Sequence, residues 1–275
     1  MERRYDAARV EEELKKIRSD NTLPFAYRKW ASDGIDYIAN TDRVSVELIA
    51  MMIKRYADKE ETPLKIRDFL HDLLEEKIRY GSGDAALVLG RLYKDGYLGE
   101  KREDEITELF ITAVEMGSTD AEEDLGICYY QGYGVSADMK KAFHLFCKAA
   151  LRDELLSLLF LGDMYKEGRY VRKDEDQAYF LYRKVFEILS KREEEDREYE
   201  AETFLRLSVC HLYGIGTVPD GHDALFTSQH AESALRKRIS KGERGLENLL
   251  KEALDSQEKA RKLIEEKDLS GLFFE

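Results

Sequence analysis

Between residues 81 and 235 the apolar positions of this chain repeat on two scales. The short scale is helical. Ile106, Leu109, Phe110, Ala113 and Val114 fall at i, i+3, i+4, i+7 and i+8. So do Ala142, Leu145, Phe146, Ala149 and Ala150, and again Ala178, Leu181, Tyr182, Val185 and Phe186. That spacing is the buried stripe of an amphipathic helix. The long scale is a Leu-Gly-x-x-Tyr unit ahead of each stripe: Leu89-Gly90 with Tyr93, Leu125-Gly126 with Tyr129, and Leu161-Gly162 with Tyr165, its glycines 36 residues apart. A supersecondary unit repeated at that period predicts paired antiparallel helices stacked into an array.

A fourth copy, Leu207-Ser208-Val209-Cys210-His211, comes ten residues late, a displacement the charged run Lys191 to Glu200 supplies. Its second helix keeps Ala224 and Ala231 but puts Thr227, Ser228 and Glu232 on the stripe, so it reads as a more polar, terminal unit. Between the two helices of each copy lies a glycine turn: Gly96-Tyr97-Leu98-Gly99, Gly132-Tyr133-Gly134-Val135, Gly168-Arg169-Tyr170-Val171 and Gly214-Ile215-Gly216-Thr217. Glycine just past a helix end closes the last carbonyls in the left-handed conformation. Asp138, Asp174 and Asp220 then stand where an N-cap is needed, with Arg102 in that place in the first copy. A glycine inside a helix costs about 1 kcal/mol against alanine. Gly90, Gly126 and Gly162 are therefore expected to mark close helix approach, with the tyrosine of the unit packing over the contact.

The flanks are less regular. Residues 45–80 read as a degenerate copy: Thr62-Pro63 opens a helix, and Leu70, Leu73, Leu74 and Ile78 repeat the stripe 36 residues ahead of Ile106. Residues 1–44, with a charged first helix and Trp30, form an N-terminal helical cap or an earlier helix of the array. Leu246, Leu249, Leu250, Ala253, Ala260 and Leu263 predict a long capping helix within residues 241–275, ahead of the apolar tail Leu272-Phe273-Phe274. The tail is expected to fold back on that helix, or to act as a docking peptide for self-association.

Composition narrows the function. Lys plus Arg total 44 and Asp plus Glu 57, a net charge of −13, the wrong sign for nucleic acid or an anionic membrane surface. The charged N-terminal residues do not resemble a secretory signal, and the longest apolar stretches, near Leu48–Ile53 and Leu155–Leu161, are too short to span a bilayer. Cys128, Cys147 and Cys210 are odd in number and lack framework spacing, which fits a reducing cytoplasm. Cys128 and Cys210 share a register with Leu92 and Met164, a core position. His211 stands where the other copies have the packing tyrosine. Together with Cys210 and His222 or His230 it lacks the tight ligand pair of a zinc site. No nucleophile motif, phosphate loop or dinucleotide fingerprint is present, so no catalytic residue, cofactor or metal is expected. Glu193-Glu194-Glu195-Asp196 reads as a solvated charge run.

The pattern Ala-x-x-x-Leu-Gly-x-x-Tyr, a Gly-x-Gly-Val turn, an aspartate, Lys-Ala and Lys-Ala-Ala resembles the Sel-one-like repeat, a longer relative of the tetratricopeptide repeat. Ala121 to Ala150 is the best copy, and the resemblance covers residues 81–240. It implies an all-α, right-handed α-solenoid. It also implies that the first helix of each pair lines the concave surface, where Arg91, Lys94, Ile127, Tyr130, Gln131, Asp163, Lys166 and Glu167 are the candidate partner-binding residues, with Val209 and Leu212 following in the fourth copy. The implied function is a non-enzymatic scaffold or adaptor that holds a protein or peptide partner. The alternatives are a hydrolase-like or ligand-binding protein related to secreted family members, and a self-assembling structural protein.

Overall fold

The structure is a computed structural model and describes residues 7–21, 28–29, 31–32, 34, 64–193 and 199–272. Among the described residues all regular structure is helical. The expected helix start at Thr62-Pro63, Trp30, most of the charge run at 193–196 and the end of the tail at 273–275 lie outside them, as does most of 45–80.

The chain divides into two compact units, Met1–Ala137 and Asp138–Glu275. The first holds α1 (Ala7–Ser19), α2 (Leu64–Arg79), α3 (Gly83–Lys94), α4 (Glu103–Glu115) and α5 (Ala121–Gln131). Here α3 packs on both α2 and α4, and α4 packs on α5. Leu74, Leu89, Leu92 and Phe110 are fully buried between them. The second holds α6 (Met139–Ala150), α7 (Leu155–Glu167), α8 (Glu175–Ser190), α9 (Glu200–Tyr213), α10 (Gly221–Ser240) and α11 (Glu247–Leu272). Each of these helices packs on the next, and α11 also reaches back to α9. Phe146, Leu158, Leu159, Met164 and Tyr182 form its interior, with Phe204, Leu205, Leu235, Leu246 and Ala253 continuing it toward the C-terminal end.

The local signals read from the sequence act as expected. Gly132, Gly168 and Gly214 end α5, α7 and α9 in the left-handed conformation, each N–H donating to the carbonyl four residues back. Asp138, Asp174 and Asp220 accept N–H bonds at the starts of α6, α8 and α10 at 2.8–3.0 Å. Arg102 caps nothing with its side chain; it pairs instead with Asp104 and Glu105 in the acidic first turn of α4. Ser82, which sequence reading passed over, caps α3 through Ala85 N–H. The ten-residue displacement is partly helical, because α8 runs on to Ser190 and buries Leu189.

Two of the interior glycines, Gly90 and Gly162, do mark close approach, but the ring over them is different from the one expected. A Cβ at Gly90 would lie 2.7 Å from Phe110 Cε1, and one at Gly162 2.4 Å from Tyr182 Cε1. Both rings come from the second helix of the pair. The tyrosines of the Leu-Gly-x-x-Tyr unit lie elsewhere: Tyr93 meets His71 edge-on with Lys101 over its face, and Tyr165 meets Phe143. The fourth copy is also less terminal than its polarity suggests. Thr227 and Ser228 are buried and return their hydroxyls to carbonyls of α10, Ser208 donates to Ala224 O, and α11 covers the pair.

Candidate partner-binding site

The eight candidate residues occupy three register positions near the end of the first helix of each pair. Arg91, Ile127, Asp163 and Val209 share one position, Lys94, Tyr130, Lys166 and Leu212 the second, and Asp95, Gln131, Glu167 and Tyr213 the third. These positions differ sharply in exposure. Gln131, Glu167 and Tyr213 all face solvent, Tyr213 at 59%. Lys94 is exposed, while Tyr130 and Lys166 are half-buried. At the first position Ile127 and Asp163 are each 8% exposed. Those two residues therefore depart from the expectation of open surface.

Within each unit one residue of the first position, Arg91 or Asp163, faces the next first helix. In the N-terminal unit, Arg91 on α3 donates from Nε and Nη2 to Asp124 Oδ2 on α5, both at 2.7 Å, and Lys94 Nζ approaches Asp124 Oδ1 at 3.6 Å. Burial works against the Arg91 charge, but Asp124 overcomes it and holds the guanidinium above its usual range. In the C-terminal unit, Asp163 on α7 receives Arg206 of α9 through Nε at 3.0 and 3.1 Å and Nη2 at 2.7 Å, and accepts the Tyr182 hydroxyl at 2.7 Å. Burial, then the Asp163 charge, pushes the Tyr182 hydroxyl far above its usual range, so it stays a donor.

Asp124 and Arg206 themselves occupy one register position, as do Arg91 and Asp163. The same two positions thus carry an ion pair twice, with the charges exchanged. In between, the corresponding residues are Ile127 and Phe160. Asp124 and Arg206 are what sequence reading missed. The signal was present as charged residues in register, but it emerges only once the ten-residue displacement is subtracted.

At the fourth copy the three positions become Val209, Leu212 and Tyr213, and they meet α11. Together with Asn248, Lys251, Glu252, Asp255, Ser256 and Lys259 they line an open groove of about 300 Å³. Its α9 side is apolar and aromatic, and its α11 side is polar and carries both signs of charge. Lys259 Nζ lies 6.0 Å from the centre of the Tyr213 ring. The remaining chemistry-bearing groups are packed in the interior or in local contacts. Cys128 and Cys210 are buried, and burial pushes the Cys210 thiol up to about 12. His211 is 9% exposed, edge-on to Tyr179 and 3.5 Å from Asp223; burial lowers its pKa despite that carboxylate. His230 packs at a tilt against Phe226, ring centres 4.1 Å apart. Among the described residues no group of three His, Cys, Asp or Glu is arranged to hold a metal, and no helix is long and apolar enough to cross a membrane.

These features define an all-α helical-repeat protein. The chain carries three Sel1 repeats: residues 119–154, 155–184 and 205–226 match the Sel1 repeat family model. Solved structures agree on the fold. A Sel1 repeat protein from Oxalobacter formigenes is similar with a TM-score of 0.57 and 20% identity, over 92% of this chain and 99% of that one. A protective antigen of uropathogenic Escherichia coli strains that displays the same repeat fold is similar with a TM-score of 0.56 and 19% identity, over 94% of this chain and 56% of its own length. No curated protein matches the chain.

Proposed function

We propose that this chain is a non-enzymatic protein-interaction scaffold that holds a peptide or helix of its partner on the face formed by its first helices. Sel1 repeats generally mediate protein interactions. The observation that carries the reading is the groove between α9 and α11, where the three candidate register positions converge as Val209, Leu212 and Tyr213 opposite the polar residues of α11. Apolar side chains beside polar ones are common at interfaces, and an exposed tyrosine is a common energetic anchor. Within the C-terminal unit Lys166 and Glu167 stand at the same register positions one repeat earlier, and Tyr130 and Gln131 hold those positions in the N-terminal unit. The partner is a protein or peptide rather than nucleic acid, in keeping with the net charge of −13. Three unpaired thiols, two of them buried, support a reducing cytoplasmic location.

The test is capture by immobilised chain, comparing wild type with Tyr213→Glu/Lys259→Glu. Both side chains are exposed, so the variant keeps its melting temperature and loses the captured partner. Identical capture by the two proteins rejects the groove, and turnover above a heat-denatured control across a hydrolase panel rejects the scaffold reading.

A further inference from the structure

The third repeat carries a feature its neighbours lack. Its turn places Tyr170 where the second and fourth repeats have Gly134 and Gly216. All three have the same left-handed backbone, with φ of 64°, 64° and 63°. At the glycines that conformation is free of strain, and a Cβ there would run into the Glu103 or Glu175 carbonyl oxygen at 2.2 or 2.3 Å. A tyrosine in the left-handed region is strained. Nothing in the interior demands it, because Tyr170 is 49% exposed. Strain of this kind persists where a site uses it.

The ring completes an aromatic platform on the surface of the C-terminal unit. Tyr170 lies 5.5 Å from Phe143 and 6.0 Å from His144, and Tyr165 lies 6.1 Å from Phe143. His144 is exposed and Phe143 half-buried. The surroundings are basic in an acidic protein. Helix α6 holds Lys140, Lys141 and Lys148 and no acid, and the turn after α7 adds Arg169, Arg172 and Lys173. The nearby carboxylates are engaged: Glu167 with Arg169, Glu175 with Lys173, and Asp174 as the α8 cap. Lys140, on the helical face of Phe143 and His144, and Arg172, two residues beyond Tyr170, form no ion pair among the described residues.

We propose that the Phe143–His144–Tyr170 platform, flanked by Lys140 and Arg172, is a second docking surface that takes an acidic segment of a partner protein bearing an aromatic side chain. The aromatic side chain of the segment packs on the Tyr170 and His144 rings, and its carboxylates meet the two free cations. The surface lies on α6 and the turn before α8, apart from the α9–α11 groove, and does not depend on that site.

Fluorescence anisotropy of the full chain tests this with a short labelled peptide of glutamates around one tryptophan. The counter-probe has lysines for the glutamates. Tyr170→Gly restores the residue of the sister turns, so its melting temperature does not fall, yet the acidic peptide binds it about tenfold or more weakly. Lys140→Glu/Arg172→Glu weakens binding similarly, added salt weakens it in wild type, and the lysine probe does not bind. No binding of the acidic peptide, equal binding by Tyr170→Gly, or equal binding of the lysine probe overturns the proposal. Tyr213→Glu/Lys259→Glu leaves the peptide bound. If that groove variant alone loses it, the platform is rejected while the groove reading stands.

Discussion

At the scale of single residues, two glycines of identical register are held with different rigidity. Gly162 sits under Tyr182, whose hydroxyl is fixed to Asp163 at 2.7 Å, so the ring has no room to retreat. Gly90 sits under Phe110, which has no polar tether. Alanine gains about 1 kcal/mol in helix propensity at either site, against an overpacking cost of about 1–3 kcal/mol. Gly162→Ala is therefore expected to be clearly destabilising in urea melts, and Gly90→Ala close to neutral. Equal effects would show that the Tyr182 tether does not matter. The glycine requirement was legible from the sequence; the identity of the ring was not. The Leu-Gly-x-x-Tyr unit draws the eye to its own tyrosine, yet Tyr93 and Tyr165 face other neighbours, and the close approach belongs to Phe110 and Tyr182 on the partner helix.

At the scale of helices, boundaries follow local chemistry closely enough to be read in advance. The aspartates at 138, 174 and 220 and the glycines at 132, 168 and 214 do what short-range hydrogen bonding requires wherever they occur. Asp220 carries a consequence for pH. Two backbone N–H bonds lead the effects that hold its carboxyl below the usual range. A carboxylate depressed in the folded state stabilises above its unfolded pKa, and that contribution is lost as pH falls through the folded value. Asp220→Ala is expected to lower stability by about 1 kcal/mol at neutral pH. The gap to wild type should close as pH drops below about 4, near the ordinary aspartate pKa. A gap that persists unchanged at pH 2 in thermal melts would show that the cap works through packing instead. What the helices bury was harder to foresee. The Arg91 position faces open surface when one pair is drawn alone, and faces the next repeat once the pairs stack. The burial of Asp163 under Arg206 is thus a property of stacking that no single helical wheel contains.

At the scale of the whole molecule, stability in a repeat protein is close to a sum over neighbours, so the pairs that join one repeat to the next carry it. Only 23% of the Arg206 side chain and 11% of the Asp163 side chain are exposed. Asp163→Asn keeps an acceptor for Tyr182 but leaves Arg206 without its anion, a loss of about 3 kcal/mol. Adding Arg206→Met removes the orphaned cation and should recover more than half of it. A double variant no better than the single one in denaturant melts would refute the pairing as the cause. Hydrogen exchange offers a spatial check, with protection falling in α9 and α11 and unchanged in α3 and α4.

The exchanged polarity of the two pairs also writes an order into the array. Arg91 accepts a neighbour with an acid at its register position, and Asp163 one with a base. Moving the fourth repeat to follow the first would set Arg206 against Arg91, and moving the second to follow the third would set Asp124 against Asp163. Each misplacement buries like charges between helices. Although the repeats are built alike, they are not interchangeable modules: the chain carries an address for each of them. Shuffled or domain-swapped versions of this protein should pay for every wrong junction, even where the apolar stripes still match.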